Sequence, residues 1–143
     1  MTVGDMNTRI ETQPLSTSTA GRSLISKVLL LDAGVSGLNG VAYLAGATVL
    51  DGILGPSTST LELLGGFLLV WAGVLAWIGT RDPVPTGLVT DVVVANLLWV
   101  AASVAVAFGL LSLTGTGLVW CILQALVVAA FAAEQYVVLR SRR

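Results

Sequence analysis

Four long apolar runs separated by short polar breaks make up most of the chain, at 27–50, 61–80, 86–111 and 117–139. Wound as a helix at about 1.5 Å per residue, each run covers the roughly 30 Å hydrocarbon core of a bilayer. Polar residues inside the runs recur at helical spacing. In the first, Asp32, Ser36, Asn39 and Tyr43 follow one another at steps of four, three and four, which places them on one stripe. Lipid supplies no hydrogen-bonding partner, so the stripe is expected to face other helices or a cavity. The third run carries Asn96, Trp99 and Ser103 on a shared face, with Asp91 off it. The fourth aligns Gln124, Phe131 and Gln135, with Glu134 beside them. An intramembrane polar site is therefore expected from Asp32, Ser36, Asn39, Tyr43, Asn96, Gln124, Glu134 and Gln135.

The breaks carry turn chemistry. Gly55 and Pro56 interrupt the segment at 51–60, and Ser59 with Glu62 has the spacing of a capping box for the second helix. The link at 81–85 is short and holds two prolines, which predicts a tight hairpin between the second and third spans. Small residues form a second kind of stripe. Gly65, Ala72, Ala76 and Gly79 let a neighbouring helix approach closely, and Gly37 offers the same on the first span. Gly37, Gly65, Ala72 and Gly79 are thus the expected packing positions.

Residues 1–22 are polar, rich in Ser and Thr and without an apolar period, so they read as a disordered cytoplasmic tail preceding a transmembrane domain at 23–143. The first apolar run exceeds the length of a signal-peptide core and carries Asp32 and Asn39 in its middle, so it reads as a span. All seven basic residues fall in the tail with the start of the first span, in the 81–85 link, or at the C-terminus. The positive-inside rule then puts both termini and the middle link in the cytoplasm. The expected fold is an all-α membrane protein, a bundle of four antiparallel transmembrane helices, and its compartment a bacterial cytoplasmic membrane.

Composition narrows the chemistry. With 55% hydrophobic and 10% charged residues, the 143-residue chain lies far from soluble domains, in which about a quarter of residues are charged. A net charge of −1, with basic residues clustered only at Arg140, Arg142 and Arg143, indicates no nucleic-acid role. The absence of histidine and the single Cys121 exclude a histidine base, histidine-ligated metals and disulfides within the chain. Neither a metal nor a cofactor is expected. Gly34-Val35-Ser36-Gly37 resembles the GxSG of rhomboid proteases, but the histidine and the six or more spans of that family are missing. Asp32 and Asp91 do not form the GxGD pattern of aspartyl intramembrane proteases. Asp91 sits in the first turns of its span, where the helix dipole favours an anion.

Two functional classes follow. The first is a non-enzymatic membrane protein acting through helix packing, as a homo-oligomer or a subunit of a larger membrane complex, with the lipid bilayer as its remaining partner. The second is a proton- or cation-coupled small-molecule transporter that uses intramembrane carboxylates, Asp32 and Glu134 foremost.

Overall fold

The computed structural model describes the chain from Thr17 to Ser141, with side chains from Leu24. Its elements are α1 (Thr17–Leu54), α2 (Thr58–Gly79), α3 (Thr86–Ala105), a π-helical turn (Val106–Leu110) and α4 (Gly115–Arg140). Four segments, Leu24–Leu54, Thr58–Gly79, Thr86–Leu110 and Gly115–Arg140, are long and apolar enough to cross a membrane. The chain is a small multi-pass membrane protein. Large apolar side chains such as Leu38, Leu63, Val70 and Leu126 lie exposed on its outside, which in water would be an association hazard and in lipid is the solvated surface.

α1 starts six residues earlier than the polar composition of 17–22 suggests, and residues 1–16 lie outside the described ones. It also continues past Leu50, because Asp51 and Gly52 do not stop a helix by themselves. The stop comes at Gly55, where φ is +104° and the amide donates to the Asp51 carbonyl at 2.9 Å, and Pro56 follows. α2 opens at Thr58, so its cap is Ser57 and not Ser59: the Ser57 Oγ accepts from the Thr60 amide at 3.3 Å. Glu62 is exposed. Asp51 adds a second tie, accepting from the Thr58 hydroxyl at 2.6 Å.

α1 lies against α2 and α4, and α3 against α4, whereas α2 and α3 barely touch. The α1–α2 seam is built from the small residues. A Cβ added at Gly40 would stand 2.8 Å from the Gly65 carbonyl oxygen, and one at Gly65 would stand 2.9 Å from the Gly40 oxygen. Further along the seam, Gly37 meets Ala72, and Gly79 meets Leu29 and Leu30. Where α4 begins, Gly117 presses on the Leu54 backbone, and Thr114 binds the end of α1 through its amide, which donates to the Leu54 carbonyl at 3.0 Å.

Two apolar layers fill the inside. One, at the end that holds the 81–85 link, joins Ile25, Leu29, Leu75, Ile78, Val84 and Val89 with Val138 and Leu139. The other, toward the opposite end, joins Tyr43, Ala47, Leu54, Leu61 and Leu68. The buried polar residues Asp32, Ser36, Asn96 and Gln135 lie between these layers.

Gly40→Ala and Gly65→Ala should each destabilise the protein by about 1–3 kcal/mol, because the obstructing atom is backbone and cannot swing away. Gly34→Ala and Gly73→Ala, whose added Cβ meets nothing within 4 Å, should be neutral or stabilising. Thermal unfolding in mild detergent measures the contrast, and equal stability for all four variants would refute the close approach.

Candidate functional site

Asp32 is 1% exposed on α1, one turn before the buried Ser36. Its side chain reaches the two other helices that face this part of α1. Asn96 of α3 donates from Nδ2 to Asp32 Oδ2 at 2.9 Å, and Gln135 of α4 donates from Nε2 to the same oxygen at 2.9 Å. The Ser36 hydroxyl donates to Oδ1 at 3.3 Å, and the amides are tied together by Asn96 Nδ2 donating to Gln135 Oε1 at 3.2 Å. Asn96 is 3% and Gln135 0% exposed, so both amides make these bonds inside the bundle. Among the described residues, the arrangement gives the carboxyl group three donors and no cation. A hydrogen bond to a carboxylate in its charged form is worth about 1.5–3 kcal/mol, and none of these three donors carries a charge of its own.

Eleven residues further along α1, about 16 Å away on the helix axis, Tyr43 centres a second cluster. Its hydroxyl oxygen accepts from Trp120 Nε1 at 2.8 Å and from Gln124 Nε2 at 2.7 Å. The i, i+4 spacing of Trp120 and Gln124 on α4 is what brings both donors to one acceptor.

Between the two clusters lies a cavity of about 280 Å³ lined by residues of all four helices. Asp32, Ser36, Asn39, Asn96 and Gln124 give it a polar side, and Trp71, Trp99 and Trp120 with Phe67 and Phe131 give it an aromatic one. Phe67 and Trp99 stack with ring centroids 5.7 Å apart and planes parallel, which bridges α2 and α3 where little else does. A second cavity, of about 140 Å³, shares Trp99, Trp120 and Gln124 with the first and extends past Tyr43 and Cys121 to Pro56 and Leu113 in the links.

Seven of the eight residues read from the sequence as an intramembrane polar site therefore stand in or beside the cavity: Asp32, Ser36, Asn39, Asn96 and Gln124 line it, Gln135 holds Asp32, and Tyr43 holds Gln124. Glu134 is exposed, on a different face of α4 from its buried neighbour Gln135. The Arg81 guanidinium lies 4.1 Å from the centroid of the Trp77 ring. The four packing positions, Gly37, Gly65, Ala72 and Gly79, lie along the α1–α2 seam, as does Gly40, which the sequence reading did not single out. Trp71 and Trp120 line the cavity as well, and the sequence reading did not single them out. Their signal was their helical offset of four from Phe67 and Gln124, each on the cavity side.

Half-buried Cys121 donates its thiol to the Ser103 carbonyl at 3.4 Å. Among the described residues no three His, Cys, Asp or Glu side chains come together as metal ligands. Comparison of the chain with protein-family models, with curated proteins and with solved structures finds no match.

Proposed function

We propose that this protein is a proton- or cation-coupled carrier of small molecules, with Asp32 as its coupling group. The observation that carries the reading is a carboxylate whose donors among the described residues are all neutral, at the wall of a cavity between the helices. A charged carboxylate deep in a bilayer costs about 2.5–3.5 kcal/mol on insertion scales. Three neutral donors lower that cost without cancelling the charge, so a proton or a cation entering the cavity completes the site. Alternation between these two occupants is the elementary step of an exchanger. A protein that acts by helix packing alone, as a subunit or self-associating bundle, has a use for the hydrogen bonds of Asp32 but none for the space beside it.

The carrier is read as an antiparallel bundle with both termini cytoplasmic, in keeping with its seven basic residues. α1 pairs with α2, α3 pairs with α4, and the sparse α2–α3 contact gives these pairs a place to separate. Single cysteines at the exposed positions Ser59 and Ser112, in a Cys121→Ser background, should react with an impermeant thiol reagent from outside intact cells. One at exposed Asp82 should not react, and its labelling would reverse the orientation.

Exchange is tested in vesicles with an acidic interior and a trapped pH dye, to which sodium, potassium or a small organic ammonium ion is added outside. The wild-type protein should discharge the gradient with at least one of these ions. Asp32→Asn should slow that discharge by about tenfold or more, since it keeps the shape and removes the charge, while Glu134→Gln should leave the rate unchanged. Failure of every cation to discharge the gradient, or equal rates for Asp32→Asn and wild type, would refute the reading.

A further inference from the structure

We infer that the cavity beside Asp32 takes an organic ammonium ion carrying an apolar or aromatic group, in preference to a bare metal ion. The inference rests on the carrier reading and specifies its substrate class. Its ground is the composition of the cavity wall. Of the four tryptophans in the chain, Trp71, Trp99 and Trp120 line this one space, and Phe67 and Phe131 add two further rings. Tryptophan is the best of the aromatic partners for a cation, each contact being worth about 0.5–2 kcal/mol depending on desolvation.

A bare sodium or potassium ion requires several oxygen ligands to replace its hydration shell. Asp32 already receives three hydrogen bonds on its two oxygens, and the remaining wall is mostly ring and aliphatic carbon. An alkylammonium ion has a diffuse charge and a weak shell. It can place its charge near Asp32 and its hydrocarbon against the rings. The volume of about 280 Å³ falls at the lower end of small-ligand sites, about 300 Å³ and upward, which suits a cation with one ring and not a large dye. Leu38 and Phe67, both exposed on the outer surface, also line the cavity, so an amphipathic cation already partitioned into lipid meets an apolar edge of the site.

The probe is benzyltrimethylammonium, added to the full chain in mild detergent and followed by tryptophan fluorescence, which reports on the cavity because three of the four emitters line it. Wild type should show a saturable change. Asp32→Asn should weaken binding by about tenfold or more, as removal of one partner from a buried charge pair does. Trp71→Leu should weaken it by about threefold or more, and Trp71→Phe by less. Glu134→Gln should match wild type. The absence of a saturable change, or equal affinities for wild type, Asp32→Asn and Trp71→Leu, would overturn the assignment. If sodium or potassium discharges the pH gradient through Asp32 while benzyltrimethylammonium does not bind, the substrate class is wrong and the carrier reading stands. If benzyltrimethylammonium binds through Asp32 and Trp71 but no cation discharges the gradient, the site stands and the carrier reading falls.

Discussion

A carboxylate in a low-dielectric interior must be surrounded by donors, and the inside of this protein is arranged around that requirement. Asp32 draws its partners from Asn96, 64 residues away, and Gln135, 103 residues away. One side chain on α1 thus fixes the rotation of α3 and α4 about their own axes, since a turn of α3 by one residue would aim Ala95 or Leu97 at the carboxyl group, and a turn of α4 would aim Glu134 or Tyr136 at it. Apolar packing alone would fix these rotations weakly, because in lipid the buried and exposed faces are equally hydrophobic. Leu97 and Leu98 beside Asn96, and Tyr136 beside Gln135, are exposed and show the alternative faces.

The same spans set both where the helices touch and where they do not. Gly40 and Gly65 bring the backbones of α1 and α2 together, with Gly37 and Ala72 continuing the seam. Across from that seam the bulky residues dominate. The stacked rings of Phe67 and Trp99 keep α2 and α3 at side-chain distance, and the space beside them is the cavity. The α1–α2 unit is therefore closely knit, while its boundary with the α3–α4 unit is polar, aromatic and partly empty. An interior of that kind supports entry of a ligand better than a uniformly packed one does.

Much of this was legible in the sequence, for reasons that differ by residue. The four spans follow from apolar length, and the stripe of Asp32, Ser36, Asn39 and Tyr43 follows from helical period. Asn96, Gln124 and Gln135 could be singled out because polar side chains inside a span require partners. On the fourth span Gln135 shares a stripe with Gln124 and Phe131, whereas Glu134 lies about 100° from Gln135 on the helix, and helical period alone does not say how wide the inward face is. Only the packing decides, with Gln135 buried and Glu134 exposed. Arg81 places its guanidinium over the ring of Trp77, four residues before it on the adjoining helix, a contact that the helical spacing of the two residues allows. The start of α2 at Thr58 reflects a local competition, in which Ser57 and Ser59 are both good caps and the tie from Asp51 to Thr58 favours the earlier one. The role of the tryptophans was the least legible, because a ring lining a cavity and a ring filling a core have the same spacing.

The central claim is that Asp32 and the α4 amide Gln135 form one energetic unit across the interior. A double-mutant cycle of Asp32→Ala and Gln135→Ala, with stability measured by denaturing-detergent titration in mixed micelles, tests it directly. The account predicts a coupling of about 0.5–3 kcal/mol, the double variant losing less stability than the two single losses combined. Losses that add to within about 0.3–0.5 kcal/mol would show two independent residues and contradict it.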